Sequence, residues 1–156
     1  RPSGMRDVRR FFLHQTLGDE MLSDDLAQET FIKVYTHISS FRNLANFKTW
    51  LLRIAYNVFY DYMRSQKTEV GLDIPEVQNC TSTQHDASIN MDIYKALQQL
   101  NPPERTCITL SVMDDLPIAK VAVITGMPEG TVKSHISRGK EKLANYLRKN
   151  GYEDRR

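Results

Sequence analysis

The chain has 156 residues, 40% hydrophobic and 26% charged, with a formal net charge of +2; this is an ordinary globular composition, long enough for one domain or two small ones. No apolar run approaches the ~18 residues that span a bilayer, and "RPSGMRDVRR" lacks the apolar centre of a signal peptide. Cys80, Cys107, His14, His37, His85 and His135 are scattered without ligand spacing, which argues against a metal site or disulfide framework and for two reduced cytosolic thiols. The first residue is Arg rather than Met, which implies a natural start further upstream.

In chain order, "MRDVRRFFLHQTL", 5–17, reads as a helix that Gly18 can end. Ser23 is a good N-cap for "DDLAQETFIKVYTHI", with Asp24 and Asp25 in the first turn, where the helix dipole favours negative charge. Leu26, Thr30, Val34 and Ile38 recur at helical spacing, and Phe31 and Tyr35 widen that stripe. "SSFRNLAN", 39–46, is a polar break. "NFKTWLLRIAYNVFYDYMRS" then gives a helix from about Phe47 to Ser65. Leu51, Ile54, Ala55, Val58 and Tyr62 share its core side, and Trp50 packs beneath the preceding loop. Arg53, Asn57, Tyr60, Asp61 and Arg64 share the other side.

Residues 66–90 lose periodicity and carry a net charge of −3. A structureless run of this length is unusual inside one compact domain, so it reads as a flexible linker. Periodicity resumes at "MDIYKALQQL", 91–100. "NPPERTCITLSVMDD" follows, with Asn101 as cap and prolines where a first helical turn tolerates them. No useful strand-like alternation appears. The expectation is an all-α chain of two small helical domains, 1–65 and 91–156, joined by the linker.

"IAKVAVITGMPEGTVKSHISRGKEKL" has the spacing of a helix-turn-helix. Ala122 is small where helices cross, and Gly126 suits a turn that needs positive φ. Val121, Met127, Val132 and Ile136 can supply the buried wedge. The second helix then offers Thr131, Lys133, Ser134, His135, Ser137, Arg138 and Lys140 to base edges and phosphates, with Glu129 at its N-terminal end. Residues 131–149 hold six basic side chains against one acidic, a net +5, which suits a polyanion better than the solvated face of a plain helical hairpin.

"DDLAQETFIKVYTHISSF…FKTWLLRIAYNVFYDYMR" resembles the second conserved region of bacterial sigma factors, and "ALQQLNPPERTCITL…TGMPEGTVKSHISRGKEKL" resembles the fourth. With no domain between them, the chain is similar to the extracytoplasmic-function group of the sigma-70 family. The resemblance implies a non-enzymatic, cofactor-free cytoplasmic protein without a metal or small-molecule substrate. It would bind core RNA polymerase, recognise −10 and −35 promoter elements, help open the DNA, and be restrained by an anti-sigma factor. It implies that Asp25, Gln28 and Glu29 meet the polymerase clamp helices. It also implies that 41–48 is the −10 specificity loop, where an extruded base is read at about a few kcal/mol of unstacking cost. Asn43 and Asn46 are the readers there, Phe47 a ring wall and Lys48 a further contact. Arg53, Asn57, Tyr60 and Arg64 would face the melted strand, and the exposed side chains of the second C-terminal helix the −35 duplex.

The chain departs from the family pattern at Lys120, usually Glu, at His135, usually Arg, and at Pro128, often Ser. Near pH 7 a mostly neutral His grips phosphate less than Arg, so the −35 preference of relatives does not carry over. The family usually has another helix before "MRDVRR". A stand-alone helix-turn-helix regulator is the alternative, but it leaves 5–65 without a role. No phosphate loop, metal cluster or nucleophile–base spacing supports an enzyme, and Asp114-Asp115 reads as a helix-end pair.

Overall fold

The computed structural model describes residues 3–41, 46–70 and 87–151, and no strand occurs among them. The helices are α1 (Ser3–Gln15), α2 (Glu20–His37), α3 (Phe47–Val70), α4 (Ala87–Gln98), α5 (Pro102–Ile108), α6 (Ile118–Thr125) and α7 (Glu129–Lys149). The chain divides into two compact units, one built on α1–α3 and the other on α4, α5, α7 and the start of α6. Each presents its candidate surface from a different kind of helix face.

In the first unit α1, α2 and α3 pack against one another in all three pairs. Val8, Phe11 and Phe12 of α1 are buried, as are Leu26 and Ala27 of α2, and the two phenylalanine rings lie edge to face at 5.3 Å. The buried arc of α3 is wider than its sequence periodicity suggests, since Leu52 and Phe59 are buried along with Leu51, Ala55 and Val58. α3 also runs on to Val70, past the expected end near Ser65.

The start of α2 differs from the sequence expectation. Its N-cap is Asp19, whose Oδ1 accepts from the Leu22 amide at 3.1 Å. Ser23 sits one turn inside, buried, sharing a 2.8 Å hydrogen bond with the Thr16 hydroxyl. Asp24 and Asp25 therefore lie in the second turn. The cause is the tight α1–α2 connection, where Leu17 and Gly18 both take positive φ and Gly18 N–H closes on Leu13 C=O at 2.8 Å. That turn delivers Asp19 to the cap position and aims Ser23 at α1. The predicted apolar stripe is also only half core: Leu26 and Thr30 are buried, but Tyr35 and Ile38 are exposed.

In the second unit Asn101 closes a full capping box with Glu104, each side chain bonded to the other's backbone N–H at 3.0 and 3.1 Å, and Pro102 and Pro103 occupy the first turn. α5 widens into a π-helical turn over Thr109–Met113 before Asp115, at φ 56°, ends it. α5 packs directly on α7. The approach is so close that a Cβ on Gly139 would stand 2.6 Å from Ile108 Cγ1. Cys107 is wholly buried beside it, and burial pushes its thiol up to about 11, so it is an unreactive core group.

Candidate polymerase and promoter interfaces

The exposed face of α2 lies opposite Leu26 and Thr30. Asp25, Gln28 and Glu29 are all exposed on it. With them stand three large apolar side chains that no neighbour in the unit covers, Met21 at 80% exposure, Ile32 at 64% and Tyr35 at 81%. Met21, Asp25, Gln28, Ile32 and Tyr35 follow one another at alternating spacings of four and three. That spacing forms a continuous seam of the kind one helix offers another. Sequence reasoning assigned Tyr35 to the core and passed over Met21 and Ile32; the four-three spacing was the available signal.

Three aromatic side chains cluster around the start of α3. Phe41 packs against Trp50 with centroids 5.0 Å apart and edge to face on Phe47 at 5.4 Å, while Phe47 and Trp50 are 5.7 Å apart. Phe47 remains exposed, so this floor has an open edge. Asn46 is the cap of α3: its Oδ1 accepts from the amides of Lys48 at 2.8 Å and Thr49 at 3.4 Å. With that oxygen engaged, its amide NH₂ is the part suited to a base edge. Lys48 is half-buried and lies 4.0 Å from Asp7 of α1. Asn43 falls outside the described residues. Phe41 is the member of the floor that sequence reasoning did not single out.

Along α3, Arg53, Asn57, Tyr60 and Arg64 are exposed on one side, as the periodicity predicts. Tyr60 is less free than its 49% exposure suggests. Tyr56 stacks with it at 5.8 Å, and the Arg64 guanidinium lies 5.0 Å from its ring centroid while also pairing with Asp61. Residues at i, i+4 and i+8 thus form a ring–ring–cation ladder. A base stacking on Tyr60 competes with Tyr56 and Arg64 for the ring.

In the C-terminal motif Gly126 has φ 78°. Val121 and Val132 are fully buried, and Met127 and Ile136 are half-buried. Pro128 opens α7 without a side-chain cap. Glu129, Thr131, Lys133, Ser134, Ser137, Arg138 and Lys140 are exposed on α7, and His135 is half-buried. Two basic residues of this helix have an internal partner that the sequence did not reveal. The Glu104 carboxylate, 2% exposed, accepts from Lys142 Nζ at 2.8 Å and lies 3.7 Å from Arg138 Nε. Burial pushes this carboxyl up. The Lys142 hydrogen bond, the Asn101 amide and the two positive charges outweigh that and hold it below the ordinary glutamate range. Arg138 also reaches towards His135 Nδ1 at 3.4 Å.

The Sigma-70 region 2 family matches residues 5–69, and the Sigma-70, region 4 family matches residues 90–143. The ECF RNA polymerase sigma factor SigW of Bacillus subtilis is 34% identical over 150 residues, covering 86% of this chain and 80% of that protein. SigM of the same organism is 33% identical over 144 residues, covering 89% and 87%. Among solved structures, the sigma factor RpoE of Bartonella quintana, bound to the anti-sigma factor NepR, is similar with a TM-score of 0.79 at 29% identity, covering 93% of this chain and 92% of that one. CnrH, in complex with the cytosolic domain of CnrY, shares the fold with a TM-score of 0.69 at 20% identity across 96% and 86%. The chain belongs to the extracytoplasmic-function sigma factors of the sigma-70 family.

Proposed function

We propose that this sigma factor docks on core RNA polymerase through the outer face of α2, reads a −10 element at the loop before α3, and reads a −35 duplex with α7. The observation that carries the reading is the pairing on one chain of two unlike surfaces: a bare apolar–acidic seam on a unit that also carries an aromatic cluster at the start of α3, and a helix-turn-helix with an exposed basic helix. Met21, Ile32 and Tyr35 supply apolar area for a partner helix, while Asp25, Gln28 and Glu29 fix its register. At the loop, the floor of Phe41, Phe47 and Trp50 backs an extruded base, which Asn43 and Asn46 would then recognise. Arg53, Asn57 and Arg64 hold the backbone of the melted strand, and Tyr60 stacks only if its partners shift.

No described helix is long and apolar enough to cross a membrane. The protein acts in the cytoplasm, with no catalytic chemistry of its own. An anti-sigma factor that covered Met21, Ile32 and Tyr35 would block docking on the polymerase.

The test is run-off transcription with core polymerase from the same organism across a genome-wide promoter library. Transcripts that depend on added protein support the reading. Their absence from every promoter, together with tight binding of the isolated chain to a duplex site at about 10⁻⁸ M, would instead identify a stand-alone regulator. Ile32→Asp should abolish polymerase association without unfolding the unit, because Ile32 already faces solvent.

A further inference from the structure

The four basic side chains nearest the start of α7 divide into two pairs. Lys133 and Lys140 lie one heptad apart on one flank of the exposed face, Arg138 and Lys142 four residues apart on the opposite flank, and Ser134 and Ser137 lie between. Only the second flank meets Glu104. That carboxylate is almost fully buried, and its Oε1 is already shared between the Asn101 amide and Lys142. Gly139 admits it: with no side chain at that position, α7 lies close enough to α5 that a Cβ there would stand 3.8 Å from Glu104 Cβ. If DNA phosphates drew Lys142 and Arg138 away, a buried carboxylate would lose both of its cationic partners, and a buried charge left in that state is strongly destabilising. A phosphate on that flank therefore competes with a nearer, drier anion.

We propose that Glu104 withholds Arg138 and Lys142 from DNA, so that α7 grips the duplex backbone by the Lys133–Lys140 flank alone. Glu104 acts as a positioning residue. It fixes the roll of the recognition helix about its axis and lowers the charge that the helix offers to any duplex regardless of sequence. The net +5 of 131–149 overstates that charge, because a cation already matched by a carboxylate releases little further counterion on binding. This inference rests on the reading of α7 as the −35 helix.

The test measures salt dependence of binding by the full chain to a mixed-sequence duplex of about 20 base pairs, where each phosphate contact contributes about 0.9 to the log–log slope. Lys133→Ala and Lys140→Ala should each lower the slope by about 0.9. Arg138→Ala and Lys142→Ala should leave it unchanged. Glu104→Gln keeps the capping geometry but not the charge; it should raise the slope by about 0.9 or more and tighten binding several-fold at low salt. Adding Arg138→Ala to Glu104→Gln should lower the slope again, although the same change is silent when Glu104 is present. A merely structural Glu104 would not produce that dependence. Arg138→Ala lowering the slope as much as Lys133→Ala in the presence of Glu104 overturns the proposal, and that comparison stands even if Glu104→Gln fails to fold. If all four single substitutions leave the slope unchanged, the reading of α7 as a DNA helix fails, and this inference fails with it.

Discussion

The first unit keeps two of its ion pairs well out at the surface. Arg9 pairs with Asp24 and Arg64 with Asp61, all four side chains more than half exposed. The second unit places Glu104 in its interior and gathers Asn101, Lys142 and Arg138 around it. The contrast extends to the surfaces offered to partners. The first unit displays apolar side chains on α2 and rings before α3, which suit a protein helix and unstacked bases. The second displays hydroxyls and cations on α7, which suit phosphate and groove edges. Exposed ion pairs contribute about 0–1 kcal/mol each, so the first unit depends for stability on its aromatic and aliphatic core. The second unit couples its stability to the placement of its basic helix.

The sharpest way to break that contrast is to damage each core separately. Leu52 is fully buried, and Leu52→Ala should destabilise the first unit by about 2–5 kcal/mol. Amide exchange read helix by helix should show α1–α3 loosened and α5 and α7 unchanged. Gly139→Val should cost the second unit about 1–3 kcal/mol through collision with Ile108. Gly130→Ala on the same helix meets open space and should raise the thermal midpoint slightly, by up to about 1 kcal/mol of helix propensity. Equal behaviour of the two glycines would contradict the close α5–α7 approach.

Asn46→Ala should remove the cap of α3 at about 1 kcal/mol, visible as a lower urea midpoint with no DNA present. A variant that changes −10 preference without that loss would mean that Asn46 reads bases more than it caps. Acid offers a gentler probe. The Glu104 carboxyl is held below its ordinary value in the folded state, so in that window the unfolded chain binds more protons. Its contribution is present above the ordinary glutamate pKa and is lost as pH falls through the lowered folded value. Urea midpoints of the second unit should fall as pH drops below the ordinary glutamate range, and Glu104→Gln should flatten that dependence. The smallest effect is expected for Arg9→Ala, within about 0.5 kcal/mol of the parent, because its pair with Asp24 is exposed.

Much of this was legible in the chain itself. Periodicity placed the helices, Asn101 was legible as a cap, and Gly126 marked the turn before α7, because each of these is a local backbone preference expressed within a few residues. The two motif sets, in order, pointed to the family. Residue types along α3 separated Arg53, Asn57 and Tyr60 from the core, since a single helix has only one side to bury. What the sequence could not decide was which of several adequate local choices the packing would select. Ser23 and Asp19 are both good caps, and the α1–α2 turn chose Asp19. Tyr35 and Leu26 both look like core residues, but α1 and α3 cover only one side of α2, leaving Met21, Ile32 and Tyr35 bare. Arg138 and Lys133 are alike as letters. Only the approach of α5 at Gly139, an encounter between segments more than thirty residues apart, sets a buried carboxylate beside one and leaves the other to solvent.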